Sequence, residues 1–232
     1  MKILYRDEDI LVCYKEAGLA VQNARPGCMD LESMLRNELR LENPESGVPY
    51  LAVVHRLDQP VAGILCFARN RQAAAVLSRE VQDGSMEKVY HALCLPEPLL
   101  YKEETDLPRQ GTLTDYLIKD PKTNLSRVVS EGTKGARKAV LDYQLLQARQ
   151  GEALYEIRLH TGRHHQIRVQ LSHAHLPIAG DRKYGRNVSN SREKRSFPAL
   201  CACRLTLLHP RTGKKMTFSV EDGLTEEHSK AE

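Results

Sequence analysis

Three groups of residues have the types and spacing to do chemistry. The first is His55-Arg56-Leu57-Asp58, which sets an imidazole, a guanidinium and a carboxylate within four positions. An ionised carboxylate held clear of competing hydrogen bonds can attack carbon as a nucleophile, and a nearby cation keeps it ionised by lowering its pKa. Asp58 is therefore the candidate nucleophile. Arg56 is close in sequence, but two-residue spacing on an extended segment does not by itself bring the charges together. The plainer alternative is a structural Arg56–Asp58 pair with His55 as a satisfied loop histidine. The second group is Thr161-Gly162-Arg163-His164-His165-Gln166-Ile167-Arg168, where Arg168 is a second cation for Asp58, or else a phosphate clamp or surface pair. The third is Lys88 and Tyr90, which alternation places on one face of a strand. A strand tyrosine most often packs in a core with its hydroxyl at the rim.

The elements around these residues follow from local patterning. Leu51-Ala52-Val53-Val54 and Gly63 to Ala68 are apolar runs that read as buried strands, with Pro60 and Gly63 breaking the backbone between them. Asp58 is thus expected on a loop carried by a sheet. Asp30 should cap a helix bearing Leu31, Leu35 and Leu39, and Asn70 a second helix running through Leu77 to Gly84. Strands are predicted at Ile3–Tyr5, Ile10–Tyr14 and Met86–Leu95, with hairpins at 138–160 and 200–220. A third helix is predicted from Arg163 to about His175, and free N–H groups at its start would attract anions. Residues 97–137 are less patterned and read as an insertion, with short strands at Leu113–Ile118 and Arg127–Ser130. Strands outnumber helices, so the fold class is α+β. One domain over 1–220 is expected, followed by an acidic C-terminal tail at 221–232.

The chain of 232 residues is long enough for a substantial core, and its net charge is only +4. The distribution is more informative. From Arg158 to Arg195 there are nine Lys and Arg against two acids, the footprint of a phosphate-bearing ligand. No apolar run approaches a membrane span and no signal-peptide core opens the chain. The six cysteines include no Cys-x-x-Cys pair and fall mostly in apolar runs, which fits a reduced, cytoplasmic protein. The histidines of the helix predicted from Arg163 lack four-residue spacing and an accompanying Glu in a zinc-protease arrangement, so no metal is expected.

The ordered set His55-Arg56-Leu57-Asp58 with Gly63, Lys88-Val89-Tyr90, Thr161 to Arg168, Pro177-Ile178-Ala179-Gly180-Asp181 and Tyr184-Gly185 resembles the RluA-type family of RNA pseudouridine synthases. The matching segments run from about residue 5 to 220. The resemblance implies a mixed, mainly antiparallel sheet with flanking helices and a central cleft. It implies isomerisation of uridine to pseudouridine in ribosomal or transfer RNA, with no cofactor and no metal. Asp58 would be the catalytic aspartate, Arg168 its pairing arginine, and Tyr90 the aromatic ring lying against a flipped-out base. His55, Arg56, Lys88, Arg163, His164, His165, Arg182, Lys183 and Arg186 would contact RNA. Many relatives carry an N-terminal S4-type module, and with the first strand at Ile3 none is expected here. A monomer is the simple expectation. Val61-Ala62-Gly63 stands where Thr-Ser-Gly is frequent, His164 where threonine is common and Gln170 where histidine is common. Two rival readings are an RNA-binding module without catalysis and an Asp/His hydrolase, although no Gly-x-Ser-x-Gly elbow is present.

Overall fold

Local signals act where they should. The Asn70 side chain accepts the Ala73 N–H at 2.8 Å, and Gly84 ends the same helix with φ at 82°. Asp30 accepts the Ser33 N–H at 2.8 Å, and Leu31, Leu35 and Leu39 of the helix it starts are buried. The computed structural model describes residues 1–22, 27–42, 44–185 and 195–224. In chain order the elements are β1 (Lys2–Arg6), β2 (Ile10–Lys15), α1 (Leu31–Glu42), β3 (Ala52–Val53), β4 (Ala62–Ala68), α2 (Arg71–Asp83) and β5 (Glu87–Cys94). There follow β6 (Gln110–Asp120), β7 (Leu125–Val129), β8 (Arg137–Arg149), β9 (Glu152–Leu159), α3 (Gln166–His173), β10 (Leu200–Leu208) and β11 (Lys215–Ser219). The class is α+β, and the chain forms two compact units, Met1–Lys88 with Ala202–Val220, and Val89–Cys201 with Glu221–Glu232.

In the first unit the strand order is β1-β2-β4-β10, with β3 on β4 and β11 on β10. β1 with β2, β2 with β4 and β10 with β11 are antiparallel. Ile10, Val12, Ile64, Cys66 and Ala68 pack with Ala73 and Leu77 of α2 and with Leu205 and Leu207. Leu11, Cys13, Leu65 and Phe67 point the other way and are also fully buried. A strand covered on both faces reads as an unbroken apolar run rather than an alternating one, which is why β2 and β4 stand out in the sequence. The run before the loop is much shorter than expected: only Ala52 and Val53 pair, although Leu51 is buried.

The second unit has the order β5-β9-β8-β6-β7, every neighbour antiparallel. Positive φ at Gln150 (54°) and Gly151 (82°) makes the tight hairpin turn between β8 and β9. The stretch 97–137 differs from a loosely patterned insertion. It supplies β6, eleven residues long and paired along β8, and β7 beyond it. Its charged, half-exposed strands hid their period in the sequence. Val169 of α3 packs against Leu117, Ala139, Val128 and Tyr184. The helix α3 begins at Gln166 rather than at Arg163, because His165 has φ at 54°, outside the helical region.

Gly63, at the start of the buried part of β4, has φ at 138°, and a Cβ there would lie 2.5 Å from the backbone nitrogen and Cβ of Ala202. Backbone strain and overpacking combine at this site, so Gly63→Ala should destabilise the fold by about 3 kcal/mol. Asn70→Ala, which removes one capping bond, should lose only about 1 kcal/mol. Urea unfolding midpoints of the two variants would show that ordering; equal losses would remove the close approach as the reason for glycine.

Candidate active site

In the first unit Asp58 is half-buried in a turn closed by the Val61 N–H, which donates to the Asp58 carbonyl at 3.0 Å. Its neighbour Gln59 anchors the loop. The Gln59 carbonyl accepts from Gly18 N–H at 2.9 Å, and its side-chain amide donates to the Gly18 carbonyl at 3.0 Å. Lys15, the last residue of β2, reaches the same point and is fully buried. Its Nζ donates to the carbonyls of Glu16 (3.0 Å), Leu19 (2.8 Å) and Gln59 (3.0 Å), one acceptor for each of its N–H groups. Burial lowers the Lys15 pKa to about 8, with the charge of Asp58 opposing the shift. At neutral pH the ammonium is therefore mostly protonated, a cation behind the carboxylate's loop. Sequence reasoning missed Lys15; the available signal was a lysine closing an otherwise apolar strand.

The other residues expected near Asp58 divide by burial. Arg56 is exposed, as an RNA contact requires. His55 is not. Its imidazole is buried, and Nε2 accepts the Cys66 N–H of β4 at 3.1 Å. Burial, with the Lys88 charge, pushes its pKa down to about 3. A neutral, buried ring offers no charge to a phosphate, so His55 ties the loop to β4 instead. Lys88 is half-buried and desolvation lowers its pKa as well.

In the second unit Tyr90 lies on β5 opposite Ile157 and is 6% exposed. The segment before α3 folds on Gln166. Its Oε1 accepts from the Thr161 hydroxyl (2.8 Å) and the Arg163 N–H (2.9 Å), and its amide donates to the Val140 carbonyl at 3.1 Å. The Gln166 N–H in turn donates to the Arg163 carbonyl at 3.1 Å. The N–H groups expected to wait for an anion at Arg163 and Gln166 are thus satisfied within the chain. Arg163 is half-buried, and its Nε donates to the Lys138 carbonyl at 3.0 Å.

Arg168 is 3% exposed and makes a bidentate pair with Asp181, Nε to Oδ2 at 2.7 Å and Nη2 to Oδ1 at 2.8 Å. Burial raises the Asp181 pKa, but the Arg168 bonds and charge and the Lys183 and Tyr184 N–H groups outweigh it and hold the carboxyl below its usual range. Tyr184 lies under the guanidinium, with Cζ 5.3 Å from the ring centroid. His165, expected on RNA, is buried, and desolvation pushes its pKa down to about 3, with Arg168 adding to the effect. Its Nδ1 is 2.7 Å from the Tyr184 hydroxyl, and its ring stacks on His164 at 3.7 Å. Lys183 donates to the Asn124 carbonyl at 3.1 Å, and Arg182 is exposed. Arg186 lies outside the described residues.

A family model described as RNA pseudouridylate synthase matches residues 9–173, a span that contains Asp58, Tyr90 and Arg168. The chain belongs to the RNA pseudouridylate synthase family. Relatives within it include an uncharacterized RNA pseudouridine synthase of Chloroflexus aurantiacus, 36% identical over 88% of this chain and 60% of that protein. Ribosomal large subunit pseudouridine synthase D of Xylella fastidiosa is 34% identical over 80% of this chain and 52% of its own length. An uncharacterized RNA pseudouridine synthase of Aquifex aeolicus is 31% identical over 99% and 74%. The chain spans little more than half the length of the first two of these pseudouridine synthases. Its fold is also that of human RNA pseudouridylate synthase domain containing 4, with a TM-score of 0.76 at 22% identity, covering 98% of this chain and 91% of that one.

Lys15 makes the stability of this synthase fold depend on pH in a specific direction. Below about pH 8 the lysine carries its proton whether the chain is folded or not. Between there and its ordinary value near 10.5 the folded chain sheds the proton while the unfolded chain keeps it, so stability rises. A gain of roughly 2–3 kcal/mol from pH 8 to pH 10 is expected. Lys15→Met should lack that gain, and denaturant midpoints of both proteins at the two pH values test it. Parallel slopes in the two proteins would assign the titration to another group.

Proposed function

We propose that the chain converts uridine to pseudouridine within an RNA strand, with Asp58, Tyr90 and Arg168 as its catalytic residues. The observation that supports this reading is the family match over residues 9–173, a span that contains all three. The bond from N1 of the base to C1′ breaks, the base turns, and a bond from C5 to C1′ forms. The C5 proton is lost and N1 gains one, so atoms and electrons balance without an oxidant or a second substrate. Asp58, a half-buried carboxylate on an anchored loop, promotes cleavage at C1′. Tyr90 lies against the flipped base and assists departure of the C5 proton. Arg168, held on α3, is the arginine that the motif order assigns to the reaction.

The exposed cations Arg56, Arg182 and Lys183 suit contacts to the phosphate backbone, and Arg163, His164, Lys88 and Arg186 complete the basic set. The name of the Xylella fastidiosa relative supports large-subunit ribosomal RNA as the substrate, ahead of transfer RNA. A monomer working in the cytoplasm is consistent with that substrate, and no described helix is long and apolar enough to cross a membrane.

Asp58→Asn should fold, bind RNA within about twofold of wild type, and release no tritium from C5-tritiated bulk RNA, since the amide is no nucleophile. Retained release would remove Asp58 from the reaction. Tyr90→Phe keeps the ring and should slow release by roughly tenfold to a hundredfold, the scale of a lost proton-transfer group. A wild-type rate would leave the phenol a packing role only.

A further inference from the structure

The arginine assigned to the reaction is held far more firmly than a salt bridge needs. Asp181 engages one edge of the Arg168 guanidinium through Nε and Nη2, so the Nη1 side points away from that carboxylate. The guanidinium carbon lies over the Tyr184 ring, 5.3 Å from its centroid. Neither partner is free to move. Asp181 Oδ1 also accepts the N–H groups of Lys183 (2.9 Å) and Tyr184 (3.2 Å), and its carbonyl accepts the Gly185 N–H at 2.8 Å. The Tyr184 oxygen accepts the Ser126 N–H of β7 at 2.7 Å, leaving the phenol proton for Nδ1 of the neutral His165. The Ser172 hydroxyl of α3 donates to the Tyr184 carbonyl at 2.7 Å.

We propose that Asp181 and Tyr184 are positioning residues that aim the guanidinium of Arg168, an inference resting on the assignment of Arg168 to the reaction. Two separate segments, β7 through the Tyr184 hydroxyl and α3 through the Tyr184 carbonyl, hold the 181–185 turn in place. For stability alone, an apolar pair of the same volume serves as well or better than a buried ion pair. What a buried, doubly hydrogen-bonded and stacked guanidinium supplies is direction. A misplacement of about 1 Å at a catalytic group can lower a rate about a hundredfold.

The test is the single-turnover rate constant for tritium release from C5-tritiated bulk RNA, with enzyme raised until the rate no longer changes. A structural defect lowers the amount of folded enzyme and the melting temperature, but not this rate constant. Asp181→Glu keeps the charge and shifts it by one methylene; it should slow release at least about tenfold, with RNA affinity within about twofold. Tyr184→Phe keeps the stacked ring and loses the hydroxyl anchor, and should slow release about threefold to tenfold. A wild-type rate constant in soluble Asp181→Glu overturns the proposal. If that variant does not fold, Tyr184→Phe decides in its place, and an unchanged rate overturns the proposal equally. Arg168→Lys, measured alongside, separates the two levels. Unchanged release in it removes Arg168 from the reaction and this inference with it, whereas slowed release beside a normal Asp181→Glu removes the positioning role alone.

Discussion

Burying a charge is the constraint on which the rest of the structure depends. Arg168 is 3% exposed on a helix whose residues from Gln166 to Leu171 are all buried. A guanidinium taken out of water loses hydration worth several kcal/mol even after the protein relaxes. Asp181 offsets that loss by a bidentate, charge-assisted pair. The pair then dictates its surroundings: Asp181 needs its remaining acceptor capacity filled, and the backbone turn at 181–185 fills it. Tyr184 is thereby delivered under the guanidinium, and its half-buried hydroxyl finds partners on β7 and in His165. Each satisfied group specifies the next, so the network has one arrangement rather than several.

The first unit meets the same constraint with backbone carbonyls around the buried cation. Lys15 is fully buried and its three donors end on three backbone carbonyls. Neutral acceptors compensate a charge less completely than an anion, and the lowered pKa of about 8 is the consequence. The Gln59 carbonyl it holds belongs to the residue after Asp58, so the cost of burying the lysine is coupled to the placement of the Asp58 loop. His55 fastens the other side of that loop to β4. A loop so tethered keeps the half-buried Asp58 carboxylate in place.

Much of the scaffold was readable from local pattern. Asp30, Asn70 and Gly84 announced helix ends because capping is a contact between near neighbours. The β8–β9 turn was readable for the same reason. The start of α3 was not, since the left-handed backbone at His165 is imposed by the partners of its ring and of Gln166. β6 and β7 were underestimated because both are half-exposed and because β6 pairs with β8, which is distant in sequence. Histidines were the least legible residues. His55 and His165 looked like basic contacts, and only burial shows them to be neutral structural groups.

The sequence by itself determined the fold class, the capped helices α1 and α2, the family motifs and the candidacy of Asp58, Tyr90 and Arg168, because these rest on residue type and short spacing. Tertiary structure alone decided which charges are buried and whom they bind. Asp181 is thirteen residues from Arg168, and Gln59 forty-four from Lys15. Desolvation and hydrogen-bond direction depend on how the chain closes over a group, and no local pattern encodes that.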